Sequence, residues 1–467
     1  MVLESILAIA GIMLAGWLIR KKVSATISLF AGGLLILMVA PLLGHTDTGT
    51  FSITDTGNAW LNQFGYIGAI LARTTSGIGM VIMVLFGFSA YMTHIGANQM
   101  ATSLLLRPLL RLKLKYLLIP VVFWVGNLMS LAVPSASALA VLLVATVLPA
   151  MVGAGINPIT AAAVIATTAT IMPTPLGADN VVASDLLGIP LDEYVFGMHA
   201  VISIPTLVVM GVVHYFWQRF MDKRTAARKG EFGTLDIIVG PQTDLPGEGL
   251  GVPAWYAVMP ILPLLFVLIP FLLRQFTPLD ITAELIPVTL ISVLITVVAE
   301  LIRKRILRDT LEDIMAFFKG MGTGFGVVVA LVVAANVLVE GMIQIGIVSW
   351  MSEAVATMDN AALILFLGFS GAMLLLALLT GGLAPFYSLV QATPEVVAQT
   401  GINGALLTLP MQFIGNLARA MSPVAAVVLI VSSAVKVSVG QLIARTAIPM
   451  AVGIVMSMIL TWFVVGA

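Results

Sequence analysis

Near its C-terminal end the chain reads Phe413-Ile414-Gly415-Asn416-Leu417-Ala418-Arg419-Ala420-Met421-Ser422-Pro423. An amide, an arginine and a Ser-Pro pair stand inside a run that is otherwise apolar. In hydrocarbon, backbone freed by Pro or Gly is tolerated only inside protein or around a wet cavity. An intramembrane arginine marks a functional site by default. The chemistry on offer is anion recognition, because a guanidinium brings a full charge and a fork matched to a carboxylate.

Three other polar interruptions share this character. Ile171-Met172-Pro173-Thr174-Pro175-Leu176-Gly177-Ala178-Asp179-Asn180 unwinds a helix predicted over 158–171. Pro134-Ser135-Ala136-Ser137 breaks the apolar stretch 116–152, whose second arm, 138–152, is too short to cross a membrane alone. Gly381-Gly382-Leu383-Ala384-Pro385-Phe386-Tyr387-Ser388 ends the apolar run 361–380. Helix N-termini at such points attract a carboxylate. The candidate substrate-binding residues are Ser135 and Ser137 at the first tip and Gly382, Pro385, Tyr387 and Ser388 at the second. Thr174 and Asn180 at one break, and Asn416, Arg419 and Ser422 at the other, complete the set. Any single hydroxyl can instead bond its own helix, so the clustering at four matched points carries the argument. Arg419 has two readings, a substrate contact or a salt bridge to Asp179. Asp179 is also the candidate for a coupling cation or proton. His94 and His199 read as interfacial residues, and Arg445 as a side chain that snorkels from the end of the last span.

The elements that must position these residues are membrane helices. Hydrophobic residues make up 60% of the 467-residue chain and charged residues 9%, against about 25% in a soluble domain. Formal net charge is zero and no basic tail is present, so nucleic acid is not a partner; the lipid bilayer is. The absence of cysteine excludes disulfides and thiolate chemistry, and four histidines without an H-x-x-H spacing argue against a metal. Nothing calls for a cofactor, and no nucleophile–base pair argues for an enzyme. A channel needs a continuous polar pore, whereas these breaks are confined to four points. Arg20, Lys21 and Lys22 follow the first apolar run, which makes it a first helix with an outside N-terminus and no cleavable signal.

Spans are predicted at 3–19, 25–43, 77–95, 194–218, 255–273, 283–302, 322–346, 403–433 and 441–465. The 77–95 span begins amphipathically at 73–76 after the polar loop 44–62, and a basic interfacial helix is predicted over 107–115. Landmarks recur in order at offsets of 244 to 251 residues: Gly96 and Gly346, Pro134 and Pro385, Asn157 and Asn403, Pro173 and Pro423, Pro205 and Pro449. Each repeat therefore reads as spans, an amphipathic arm, a re-entrant hairpin, a broken helix and a span. Eighteen of the 22 Lys and Arg residues fall at 20–22, 107–115, 219–229, 303–308, 319 and 436. With these cytoplasmic, the two repeats are inverted, and Arg73, Arg419 and Arg445 are intramembrane or interfacial. That is the signature of a secondary transporter with a midplane site.

The fold expected is an all-α polytopic membrane protein. A first repeat over 1–218 holds scaffold spans at 3–43 and transport-domain elements at 116–190. A cytoplasmic linker follows at 219–252. A second repeat over 253–467 holds scaffold spans at 255–302 and transport-domain elements at 361–433.

Several stretches together are similar to a known family. Ala90-Tyr91-Met92-Thr93-His94-Ile95-Gly96-Ala97-Asn98, Met129-Ser130-Leu131-Ala132-Val133, Ala384-Pro385-Phe386-Tyr387, Asn416-Leu417-Ala418-Arg419-Ala420-Met421-Ser422-Pro423 and Arg445-Thr446-Ala447-Ile448-Pro449 resemble the DcuC/DcuD family of anaerobic C4-dicarboxylate carriers. The resemblance covers nearly the whole chain. It implies transport of succinate, fumarate or malate across the bacterial inner membrane, by proton-coupled movement or exchange. Through the wider ion-transporter superfamily it implies an elevator mechanism in a homodimer, with a proton or sodium as coupling ion. The tips depart from the family pattern: Pro134-Ser135 stands for Ser-Ser, and Gly381 and Leu383 stand for Ser and Asn. With fewer donors there, a cation-coupled transporter of another small carboxylate or an amino-acid-like anion is the alternative.

Overall fold

In the computed structural model, which describes residues 2–45, 51–107, 116–133, 135–227, 251–278, 281–348, 350 and 360–466, the described residues form helices and turns without a strand. Among the described residues eleven helical stretches are long and apolar enough to cross a membrane.

Helices α1 (Val2–Arg20) and α2 (Ala25–Val39) match the predicted first spans. α3 (Ala59–Thr74) and α4 (Met80–His94) run as one helix through a π turn at Thr75–Gly79. The sequence predicts this span from Gly77, but the helix starts at Ala59. Asn58 caps it by accepting the Trp60 and Leu61 N–H groups at 3.0 and 3.2 Å, and Trp60 Nε1 donates to the Met38 carbonyl at 3.1 Å. Arg73 is exposed, with its guanidinium 5.4 Å from the Phe51 ring centre.

α5 (Ala97–Leu106) is followed by residues 108–115, which lie outside the described residues together with Arg111, Lys113 and Lys115 of the predicted basic helix. α6 (Leu118–Met129) and α7 (Ala136–Gly153) are the two arms of the first hairpin; Pro134 at its tip is also outside the described residues. α7 corrects the expectation of a short arm. It starts on a Ser135 cap and runs through Pro149, and its 18 residues are enough to span.

α8 (Pro158–Ala166) and α9 (Ala178–Leu187) are the halves of the first broken helix. α8 stops at Ala166 rather than 171, before the prolines. The Thr167 and Thr168 hydroxyls donate to the Val164 and Ile165 carbonyls, each at 2.8 Å, and Ala169 takes φ +53°. Alanine in that left-handed region is strained and ends a right-handed helix outright. α10 (Ala200–Ala227) follows a π turn at Glu193–His199. It extends past 218, so the first part of the expected linker is helical, and residues 228–250 lie outside the described residues.

The second half runs α11 (Leu262–Phe276) after a 3-10 turn at Ala254–Ile261, α12 (Leu285–Lys304), α13 (Leu307–Asp313), α14 (Met315–Gly324) and α15 (Ala330–Gln344). Then come α16 (Ala361–Thr380), α17 (Ala384–Leu389), α18 (Thr393–Thr400), α19 (Gly404–Ala418), α20 (Ala426–Ala434) and α21 (Val439–Val465). The predicted span 403–433 is thus two helices, α19 and α20, with a break at Arg419 to Ala425.

Several matched landmarks have matching conformations. α4 ends at Gly96, φ +82°, whose N–H reaches the Thr93 carbonyl at 3.2 Å; α15 ends at Gly346, φ +73°, whose N–H reaches Ile343 at 2.8 Å. A left-handed residue of this kind stops a helix and redirects the chain, here into α5 in the first half. The densest helix contacts fall into two sets. α1 lies on α2, α2 on α15, and α4 on α14 and α12. α6 to α10 and α16 to α21 pack chiefly on one another, with α10 on α21, α19 on α16 and α21, and α7 on α8 and α20, around an apolar core that also takes in Leu37 of α2, Ile70 of α3, Ile82 of α4 and Val337 of α15.

The charge bias yields a topology prediction. Single cysteines at Thr48, Thr234 and Ala467, all outside the described residues, need no cysteine-free background because the chain has none. An impermeant thiol reagent added to intact cells is expected to label the first and third only. Labelling at 234 overturns the orientation.

Candidate functional site

The two helix breaks meet. Arg419, at the end of α19, donates from Nη2 to the carbonyl of Ala169, the strained residue of the first break. Asn416, one turn earlier, donates from Nδ2 to Asp179 Oδ2 at 2.9 Å. Gln412, another turn back, donates to Asn180 Oδ1 at 2.7 Å and accepts from the Tyr194 hydroxyl at 2.8 Å. Asn180 in turn donates to the Thr174 carbonyl at 2.8 Å. One face of α19 therefore grips the N-terminal turn of α9, joining elements far apart in sequence.

The first hairpin supports this arrangement from behind. Asn127 Oδ1 on α6 accepts both the N–H and the hydroxyl of Thr170, each at 2.9 Å, which satisfies backbone freed by the break. The second tip presses on α19 at Gly415. A Cβ there would lie 2.5 Å from Met373 Cε and 2.7 Å from Leu383 Cδ1, so both side-chain ends would have to shift to admit one.

Asp179 and Arg419 form no ion pair within 4 Å among the described residues; Asn416 holds the carboxylate instead. Asp179 is still near enough to act electrostatically on Arg419 and on Tyr387. Both charged groups are half-buried. Tyr387 is 7% exposed, and its hydroxyl has no hydrogen-bond partner among the described residues. The result is a cluster of one guanidinium, one carboxylate, an amide and a phenol that makes no hydrogen bond among the described residues.

The remaining candidates are distributed unevenly. The Thr174 hydroxyl accepts the Leu176 N–H at 3.2 Å and is half-buried at the break. Ser135 is exposed and caps α7 through the Ala138 N–H at 3.3 Å, and Ser137 is half-buried next to it. Pro385 is buried in the first turn of α17, and Ser388 is half-buried on the same helix. Gly382 is half-buried and faces open space. Ser422 is fully buried and donates to the Leu378 carbonyl at 2.7 Å, joining the break to α16.

Three polar residues stand differently from their sequence expectation. Arg445 does not snorkel. It is 2% exposed and bonds Asp222 and Thr160, each at 2.6 Å, with Asp222 also accepting from Thr160 at 2.7 Å. A buried guanidinium persists only when paired in this way; the pair ties α21 to α10 and α8. His199 is not interfacial but 2% exposed, with its ring 4.7 Å from Phe413 and edge-on to it. His94 does lie at a helix end and bonds Asp313 at 2.8 Å. Gln412 and Tyr194 were not singled out from the sequence. The available signal is that Gln412 precedes Asn416 by four residues and so shares its helix face.

The family model described as DcuC, a C4-dicarboxylate anaerobic carrier, matches residues 3–466. The chain is 34% identical over 444 residues to the anaerobic C4-dicarboxylate transporter DcuC of Escherichia coli K12, covering 95% of this chain and 93% of that protein. It is 34% identical over 457 residues to a probable DcuC transporter of Vibrio cholerae, covering 97% and 96%. Among solved structures it resembles Neisseria gonorrhoeae MtrF, with a TM-score of 0.61 at 14% identity over 93% of this chain and 94% of that one. It also resembles the Alcanivorax borkumensis YdaH transporter, with a TM-score of 0.62 at 16% identity over 94% and 98%. Those two likenesses concern the fold, which is that of transporters. The chain belongs to the DcuC family and is a bacterial membrane transporter, not an enzyme.

Proposed function

We propose that the protein is a secondary transporter of C4-dicarboxylates such as succinate, fumarate and malate. In this reading the substrate lies between the two helix breaks, with one carboxylate on Arg419 and Thr174, Tyr387 and Asn416 nearby. The observation that carries it is a half-buried guanidinium at a helix break that is not neutralised by the nearby carboxylate.

Charge balance supports proton coupling. Arg419 and Asp179 together carry no net charge, so a bound dianion leaves the site two charges negative. A proton on Asp179 halves that excess in a site shielded from water, where each uncompensated charge costs several kcal/mol, order of magnitude. Proton and substrate then favour each other's binding, as linkage requires. The matched landmarks and the charge bias support two inverted repeats. The two packing groups support a transport domain, α6 to α10 with α16 to α21, moving as an elevator against a scaffold in a homodimer. The inner membrane is the expected site of action.

The test is counterflow of labelled succinate in proteoliposomes, with unlabelled acids as competitors. Saturable counterflow is expected, whereas current without counterflow indicates a channel. Asp179→Asn is expected to keep exchange and to lose the response to an imposed pH gradient. A second reading, an amino-acid-like anion, is favoured by Asp179 Oδ1, which has no donor among the described residues and would suit an ammonium group. Stronger competition by aspartate than by succinate selects it.

A further inference from the structure

We infer that Tyr194, Gln412 and Asn180 are positioning residues that act through Thr174, and that the Asn180 amide itself does not contact substrate. The inference rests on the proposed dicarboxylate site and names how one of its donors is aimed.

The hydrogen-bond chain has a direction, and its far end sets it. The Thr174 carbonyl can only accept, so Asn180 must turn its NH2 toward it, at 2.8 Å. Asn180 Oδ1 then faces Gln412, whose NH2 must donate, at 2.7 Å. Gln412 Oε1 is left facing Tyr194, whose hydroxyl must donate, at 2.8 Å. Amide orientations are fixed in practice by such networks, and each member depends on the next. Gln412 is fully buried and Asn180 is 2% exposed, so neither amide is free to turn toward a ligand.

The chain ends on the break itself. Thr174 lies between Pro173 and Pro175, where neighbouring backbone cannot be held by a helix. Its carbonyl is clamped by Asn180, and its Oγ1 accepts from the Leu176 N–H at 3.2 Å, while its hydroxyl donates to no group among the described residues and is available to a ligand. Tyr194, in the π turn before α10, thereby aims a donor on a different element through two amides from opposite halves of the chain.

Tyr194→Phe removes the donor and leaves the Gln412 carbonyl buried without a partner. It is expected to raise KM for succinate counterflow roughly tenfold with the maximal rate within about twofold. Thr174→Val removes the aimed hydroxyl and is expected to raise KM by a similar factor. The double variant is expected to be no worse than Thr174→Val alone, since residues acting in series do not add. Tyr91→Phe is the control, because the Tyr91 hydroxyl is buried and has no hydrogen-bond partner among the described residues. A spin label on Leu176→Cys gives a readout independent of substrate. Its spectrum is expected to become more mobile in Tyr194→Phe and to stay unchanged in Tyr91→Phe. Multiplying KM effects, or a spin-label spectrum unmoved by Tyr194→Phe, overturn the inference. If the wild type shows no succinate counterflow, the substrate reading fails, and the spin-label comparison still decides the chain.

Discussion

Proteoliposomes carrying Arg419→Ala are expected to take up no dicarboxylate above background while the protein inserts and folds normally. A guanidinium has five N–H donors, and among the described residues Arg419 uses one group, Nη2, on the Ala169 carbonyl. The rest of the fork is available to a ligand. Its charge is not spent on Asp179, which lies beyond ion-pair distance and is held by Asn416 at 2.9 Å. A substrate carboxylate leaving water there loses hydration that only a full charge replaces well. Removing one partner of such a desolvated, hydrogen-bonded pair costs about 3 kcal/mol or more, which is over about a hundredfold in affinity. Arg419→Lys keeps the charge and loses the fork, and is expected to weaken binding by about tenfold. The buried ion pair that ties α21 to α10, Arg445 with Asp222, is untouched by these variants, so insertion and folding are expected to be retained. The discriminating variant is Arg419→Ala with Asp179→Ala. If Arg419 serves only to neutralise Asp179, the double variant regains near-normal succinate affinity, and that recovery ends the substrate role.

Much of this arrangement is legible in the sequence, for identifiable reasons. Charged and Gly/Pro-interrupted stretches are conspicuous against a chain in which 9% of residues are charged, so the two tips and two breaks stand out. Gly96 and Gly346 announce themselves as helix ends because a left-handed residue is needed there. What is not legible depends on tertiary contact. α8 ends at Ala166 because Thr167 and Thr168 bond back to their own helix and Asn127 of another helix takes up the freed Thr170 groups. Neither proline is involved, so counting from Pro173 places the end too late. Arg445 looks like a snorkelling side chain until α10 brings Asp222 beside it, from a position 223 residues away. The same holds for Gln412, whose partners Asn180 and Tyr194 come from the other half of the chain. Helix periodicity shows which face is polar, not what it meets.

The second large effect concerns motion between the two packing groups. Arg274, at the end of α11, forms an ion pair with Asp192, just before the π turn that leads into α10. Phe271 on α11 and Phe196 in that turn pack with ring centres 5.4 Å apart. Beneath them Leu85, Val267, Leu285 and Val288 from α4, α11 and α12 bury against Val181 of α9. These contacts join the proposed scaffold to the proposed transport domain near the C-terminal end of α11 and the N-terminal end of α12. If the domain slides as an elevator, all of them must part in each cycle. A partly exposed ion pair contributes about 1 kcal/mol at most, so Arg274→Gln is expected to change transport by no more than about fivefold. A covalent link cannot part. Cysteines replacing Asp192 and Arg274, joined by a short bis-methanethiosulfonate reagent, are expected to lose transport, and dithiothreitol is expected to restore it. Each single cysteine treated alike is expected to remain active. Full counterflow in the cross-linked protein argues instead that these elements stay in place and that the hairpins alone open and close around a fixed site.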